Sequence, residues 1–312
     1  MATHYFQPES STLHGSFSRE EQPIAIIDPG DTVIYQTLDA SWIKTFDVSL
    51  RNPPERRADL GEYWRPRESP RDDGHALIGP IAIRGAQPGK MLSIRINEVI
   101  PGKWGWVHPW FGTPIEEKNS VPVMLWRLDA ERMIGRNSLG QTVELKPFMG
   151  VMGMPADEAG LQSTRPPRLT GGNIDCKELV AGSTLCLPIE VLGGLFSVGD
   201  GHARQGDNES GGTAIECPME RVDLTFNILE KPIISTPYAH TPAGWVVFGF
   251  DEDLQVAHDK ALFAMQNFMM RFYRIDEMTA LALMGVVVDF HITQTVNLVK
   301  GVHAILPHGA LR

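Results

Sequence analysis

Cysteine is scarce in this chain: three residues, Cys176, Cys186 and Cys217, among 312, with no Cys-x-x-Cys spacing. An odd, scattered set argues against a disulfide framework and for reduced thiols. Long apolar runs are missing too. The longest, Ala280 to Val288, falls far short of the roughly 20 residues that span a bilayer. The start, Met-Ala-Thr-His-Tyr-Phe-Gln-Pro-Glu-Ser, has no basic stretch leading into an apolar one, so no signal peptide is expected. Basic charge is short as well. Lysine and arginine number 28 against 38 acidic residues, giving a net charge of −10 with the signs mixed along the chain. Without a basic stripe, neither nucleic acid nor an anionic membrane is an expected partner. A cytoplasmic location is the simplest expectation.

Turn-forming residues, by contrast, are plentiful. The 30 glycines and 23 prolines favour a β-rich body over a helical bundle, and 42% hydrophobic with 21% charged residues is the composition of a soluble globular protein. Residues 1–22 are polar and read as a loose N-terminal arm. A β-rich part over 23–167 follows. Within it, Ile24 to Ile27, the turn Asp28 to Asp31 and Thr32 to Thr37 read as strand, turn, strand. A second pair is Pro80 to Arg84 and Met91 to Ile100, with Leu92, Ile94 and Ile96 alternating with Ser93, Arg95 and Asn97. Between these pairs, Arg51 to Asp73 reads as a charged, proline-containing surface loop.

A second part, 168–312, carries the chemistry. Strands are expected over Leu185 to Val191 and Val222 to Leu229. After Asp251 the period changes: Leu254, Ala257, Ala261, Met265, Phe268 and Phe272 share one helical face behind an acidic first turn. A second helix is expected from near Asp276 to Gly285, and Val286 to Val296 returns to a strand pattern.

The densest polar motif runs from Gly194 to Glu209. A short apolar segment gives way to a glycine-rich loop bearing Asp200, His202, Asp207 and Glu209. In extended chain, Asp200 and His202 project to the same side. Taken alone, an Asp-Gly-His triplet is more often an ordinary polar turn; four titratable groups within ten residues favour a site. Mixed carboxylate and imidazole donors suit zinc or another divalent transition metal better than calcium. Upstream, Gly171-Gly172-Asn173-Ile174-Asp175 repeats the arrangement of flexible backbone followed by a carboxylate. His75, His291 and His303 are each lone histidines near strands, more often solvated than functional. Two nucleophile chemistries find little support. A Ser-Ser-Lys site needs a longer Gly/Ser block than Glu209-Ser210-Gly211-Gly212, and the thiol of Cys176 sits beside Asp175, which disfavours thiolate.

Taken together, the chain resembles the acetamidase/formamidase family. The likeness rests on Gly171 to Leu179, Ala181 to Leu185, Leu195 to Glu209 and Gly211 to Glu216, with His75 to Pro80, Gly85 to Gly89, Asp289 to Thr295 and Lys300 to Pro307 in support. It spans about residues 70 to 308. Where relatives often carry histidine before the glycine pair this chain has Thr170, and where they more often carry arginine it has His291, so neither position is given a role.

The resemblance implies a mainly β fold with an α/β C-terminal part (α+β): a sandwich- or barrel-like body with a helical segment near 251–285. It implies hydrolysis of the C–N bond of short linear amides such as formamide and acetamide, with lactam hydrolysis as the alternative within the family. A non-catalytic metal- or amide-binding protein is the alternative of another class, and its mark would be loss of the site carboxylates. Amides resist water because the carbonyl is a poor electrophile, water a poor nucleophile and the amine a poor leaving group. A divalent metal, zinc by donor type, answers the first two, and a carboxylate that moves a proton answers the third. On this reading Asp175, Asp200 and His202 ligate the metal and Glu209 shuttles the proton. His75 orients the substrate or completes the metal shell, and Asn173 with backbone N–H groups near Gly172 binds the oxyanion. The expected partner is a small amide, and the expected assembly a homo-oligomer.

Overall fold

The strand Met91–Pro101 shows how pattern becomes architecture. Leu92, Ile94 and Ile96 are buried while Arg95 and Asn97 face solvent, as expected of a sheet with one covered face. In the computed structural model, which describes residues 1–46, 61–110 and 123–312, this strand lies inside a nine-stranded sheet. The order is Thr3–Phe6, Thr32–Thr37, Met219–Leu229, Met91–Pro101, Thr184–Pro188, Tyr238–His240, Gly244–Asp251, Lys300–Pro307 and Asp289–Gln294.

A seven-stranded sheet runs Pro167–Arg168, Gly171–Asn173, Phe148–Gly153, Phe196–His202, Leu77–Ile83 and Leu13–His14, with Ala25–Ile27 parallel to Leu77–Ile83. A four-stranded meander links Trp104–Val107, Met124–Asp129, Ile134–Asn137 and Thr142–Glu144. The two large sheets share one apolar core. Leu92, Ile94, Leu224 and Phe226 come from the first, Ile78, Ile81, Phe196 and Val198 from the second. Phe196 meets Phe226 edge-on, with ring centroids 5.0 Å apart.

Two helices, α1 (Leu254–Tyr273) and α2 (Glu277–Val287), cover the C-terminal end of the nine-stranded sheet. Asp253 caps α1, its carboxylate accepting from the N–H groups of Gln255 and Val256, which would otherwise lack partners. Met265, Phe268 and Met269 pack on Val247, Ala304 and Leu306. The approach is close because Gly249 has no Cβ; one placed there would stand 2.1 Å from the Ala257 carbonyl oxygen. Phe272, expected on the buried face, is 43% exposed and stacks on Phe268 at the edge of that core. The chain is therefore mainly β with C-terminal helices. No helix among the described residues is long and apolar enough to cross a membrane.

Several expectations are revised by the topology. Residues 1–22 are tied down: Thr3–Phe6 pairs with Thr32–Thr37, Leu13–His14 pairs with Leu77–Ile83, and Leu13 and Phe17 are buried. Their apolar residues are too widely spaced to show a period. The two expected strand pairs do not pair internally; Ala25–Ile27 and Leu77–Ile83 join the smaller sheet, Thr32–Thr37 and Met91–Pro101 the larger. Part of the 51–73 loop lies outside the described residues; of the remainder, Glu62–Tyr63 pairs with Ile43–Thr45. Both large sheets also draw strands from either side of residue 167. Met219–Leu229 lies between Thr32–Thr37 and Met91–Pro101, and Phe196–His202 between Phe148–Gly153 and Leu77–Ile83.

Phe226 is fully buried where the sheets meet. Phe226→Ala is expected to lower unfolding free energy by about 3–5 kcal/mol through lost transfer energy and an unfilled cavity. Urea unfolding checks this: the midpoint should fall while the slope stays unchanged.

Candidate active site

The strand Phe148–Gly153 brings the two motifs together. On one side it pairs with Gly171–Asn173, on the other with Phe196–His202. The chain leaves the first partner with the N–H groups of Ile174 and Asp175 donating to the Gly150 carbonyl oxygen, which sets Asp175 beside Asp200 and His202. A third segment adds Glu216, bridged in antiparallel fashion to both Trp106 and His202. Glu209 comes from the loop beyond His202.

The result is four carboxyl groups around one imidazole, all buried. His202 Nε2 stands 3.3 Å from Asp200 Oδ1 and 3.4 Å from Glu216 Oε2, and its Nδ1 lies 3.9 Å from Asp175 Oδ1. Two sets of donor atoms each fit within 4.8 Å: Asp175, Asp200 and His202, and His202, Glu209 and Glu216. Gly150 leaves the space between them. A Cβ there would stand 2.6 Å from Asp175 Oδ1, 2.6 Å from Asp200 Oδ2 and 2.9 Å from His202 Cε1.

Three of the four acids are held in left-handed backbone, with φ of 54° at Asp175, 59° at Asp200 and 47° at Glu209. Each such residue costs roughly 1–2 kcal/mol, and strain of this kind gathers at functional sites.

Electrostatics explain what this cluster lacks. Burial raises the pKa of Asp175 well above the usual carboxylate range, with Asp200 and Glu216 adding to the effect against His202. Burial likewise raises Glu209, with Asp175 next in importance. Glu216 is pushed up to about 7, by burial first and then, against the pull of His202, by Asp200. Asp200 is the exception: burial opposes its charge, but His202 and His75 outweigh it and hold the carboxyl below its ordinary range. Burial also opposes a charged His202, yet Glu216 and Asp200 raise its pKa well above the ordinary value. Among the described residues, Asp175 Oδ1, His202 Nδ1, Glu209 Oε2 and Glu216 Oε2 are buried without hydrogen-bond partners. An unpartnered buried polar group costs about 1–3 kcal/mol, more when charged. Excess negative charge, converging orphan atoms and a gap at Gly150 together fit a divalent cation.

These groups form the floor of a cavity of about 720 Å³, which Asp200, His202, Glu209 and Glu216 line together with His75, Asn173 and Trp106. His75 is fixed through its Nδ1, 2.9 Å from Thr164 Oγ1. Asn173 is buried with its Oδ1 unpartnered. Asp175 lies behind the lining, its Oδ2 accepting from Asn297 Nδ2 at 3.0 Å. Gly172 does not line the cavity; it pairs with Met152 and Pro167 in the sheet.

Asp207, the fourth titratable group of the opening motif, turns away. Its Oδ2 accepts from Lys177 Nζ at 2.7 Å and stands 3.0 Å from His291 Nδ1. His303 completes a third compact group with Asp207 and His291, but the two imidazoles stack with planes 9° apart and centroids at 5.1 Å. An ion in the plane of one ring therefore lies well out of the plane of the other, and Lys177 already neutralises the carboxylate. This group is a strut. Glu216, Gly150 and Asn297 carried no role in the sequence reading; the only signal was the position of Glu216 at the end of the Gly211 to Glu216 block.

The profile of the acetamidase/formamidase family matches residues 155–310. The chain belongs to that family. It is accordingly an amidohydrolase, and amide hydrolysis is the chemistry to be placed in this cavity. Among solved structures it is similar to an acetamidase from Bacillus halodurans, at 26% identity over 97% of both chains and a TM-score of 0.81. An acetamidase from Yersinia enterocolitica shares the fold at 23% identity, covering 99% of this chain and 93% of the other, with a TM-score of 0.82. A gamma lactamase from Delftia acidovorans does so at 19% identity, covering 96% and 89%, with a TM-score of 0.61. A comparison with curated proteins finds no match.

Two outcomes are expected from this geometry. Gly150→Ala fills the gap and should weaken the binding of any divalent ion held there by about tenfold or more, the scale on which disturbing a metal's surroundings acts; calorimetric titration with divalent ions measures it, with circular dichroism unchanged. The second concerns pH. Folded Glu216 keeps a proton to about 7 that the unfolded chain releases near 4.3. Asp175 and Glu209 shift in the same direction, and the stability His202 gains from its raised pKa is also lost with rising pH. Metal-free protein should therefore lose stability between about pH 5 and 8. Urea midpoints in chelator at those two values test it, and an equal or higher midpoint at pH 8 would refute it.

Proposed function

We propose that this protein is a metal-dependent hydrolase that cleaves the C–N bond of linear amides of the formamide and acetamide type, yielding carboxylate and ammonia. The observation that carries the reading is the buried convergence of Asp175, Asp200 and His202 beside Glu209 at the cavity floor. Those first three residues would hold the ion, and Glu216, within reach of His202, is a fourth candidate donor. When bound, a divalent ion, zinc by its oxygen and nitrogen donors, supplies Lewis-acid polarisation of the amide carbonyl and acidifies water.

The chain's own groups do the rest. Glu209 takes the proton of the attacking water and delivers it to the departing nitrogen, and burial, which raises its pKa, strengthens it as the proton acceptor. Asn173 donates its side-chain amide N–H to the carbonyl oxygen as negative charge grows there, and Gly172, off the cavity, holds Asn173 in the sheet. His75, anchored on Thr164 and close enough to Asp200 to lower its pKa, orients the substrate.

Lactam hydrolysis is the second reading, supported by the fold shared with a gamma lactamase and by a cavity roomy enough for a ring. We also propose a cytoplasmic homo-oligomer. Its support is the unbridged state of Cys176, Cys186 and Cys217 and the apolar surface of α2, where Met278 and Val286 are 72% and 79% exposed.

The test is ammonia release from formamide, acetamide and a small lactam, with and without chelator. Chelation should abolish turnover and zinc restore it; full activity in metal-free protein removes the metal from the mechanism. Glu209→Gln should keep the metal and lose about a hundredfold or more in kcat. Loss of the metal in that variant would make Glu209 a ligand instead.

A further inference from the structure

The cavity is much larger than the amides proposed for it. Its 720 Å³ would hold on the order of twenty waters at ~30 Å³ each, whereas acetamide is only a few times the size of water. The walls are graded in character. At the floor stand the buried acids and His202. Trp106 and Val296 contribute apolar surface to the wall. At the rim, Arg67 and Arg165 are exposed, and among the described residues neither guanidinium makes an ion pair or a hydrogen bond. Asp73, an exposed acid among the described lining residues, accepts from Ser69 Oγ at 3.1 Å.

We infer that the preferred substrates are primary amides whose acyl chain ends in a carboxylate, such as monoamides of six- or seven-carbon dicarboxylic acids. The inference rests on the amidase reading and specifies its substrate. With the scissile carbonyl at the floor, an extended chain passes that apolar surface and delivers its carboxylate to the rim. There the planar donor fork of arginine matches carboxylate geometry. Chain length matters because the floor is itself negative. Beyond about 8 Å, near the Debye length at physiological ionic strength, repulsion from it is largely screened. An extended chain advances roughly 3.5 Å per three bonds, so six or seven bonds cover that distance. The reaction is unchanged: water adds to the carbonyl carbon, the C–N bond breaks, the nitrogen takes the proton and leaves as ammonia, and a dicarboxylate remains.

The experiment compares the monoamide of adipic acid with hexanamide, which has the same carbon chain without the charge. The charged substrate should show a kcat/KM about tenfold higher. In an Arg67→Gln, Arg165→Gln double variant the ratio should fall to within about twofold, and added salt should lower it in the native protein. If hexanamide is hydrolysed as well as or better than the monoamide, the inference is overturned and the amidase reading stands. If neither is hydrolysed while formamide or acetamide is, the inference is overturned and the amidase reading stands; if none of the four is hydrolysed, the amidase reading fails. Calorimetric binding of the same two compounds to zinc-loaded protein then decides the inference by itself: preference for the carboxylate supports it, and equal affinity overturns it.

Discussion

Everything in this molecule's chemistry depends on gathering negative charge where water cannot screen it. Four carboxyl groups surround one imidazole in a buried pocket. Left alone, such a cluster holds protons it would release in water, as the elevated values at Asp175, Glu209 and Glu216 show. The fold meets that unfavourable assembly with strained backbone at three of the acids and an omitted side chain at Gly150. It also supplies a sheet rigid enough that the groups cannot move apart. The same frustration makes the site receptive to a cation and raises the proton affinity of Glu209.

Much of this was legible in the residues, and what was not has identifiable causes. The alternation over Leu92 to Asn97 and the helical face after Leu254 are local signals, and both elements form as expected. Asp200 and His202 also reach the same site. Glu216 was signalled only by its place at the end of the Gly211 to Glu216 block, because its position beside His202 depends on a bridge to Trp106, over a hundred positions away. Gly150 was not visible: its importance is a volume bounded by Asp175, Asp200 and His202. Asp207 looked equivalent to Glu209, but left-handed backbone at Asn208, with φ of 73°, separates their directions and sends Asp207 to Lys177 and His291.

The end of Asp289–Gln294 and the residues after it steady the two loops that carry Asp175 and Glu209. Asn208 pairs with Gln294 in a short parallel bridge, and Thr295 Oγ1 donates to Asn208 Oδ1 at 2.7 Å. A few residues on, Asn297 donates to Asp175. The Glu209 loop and the Asp175 turn are thus braced by one stretch of chain, itself anchored where His291 stacks on His303 beside Asp207. Lys177 closes the frame by joining the strand-end that carries Asp175 to the loop that carries Glu209. Residues with no contact to substrate can therefore govern the spacing of those that have it.

The interleaving of strands has a consequence for how the enzyme comes into being. Met219–Leu229 pairs with Thr32–Thr37 on one edge and Met91–Pro101 on the other, and Thr3–Phe6 closes the same sheet. Contacts of such sequence separation are slow to form, since a long loop must close before any pairing rewards it. The family signature within 155–310 is therefore no folding unit: its strands await partners made much earlier during synthesis. The first two hundred residues emerge from the ribosome with sheet edges exposed, a state prone to mispairing.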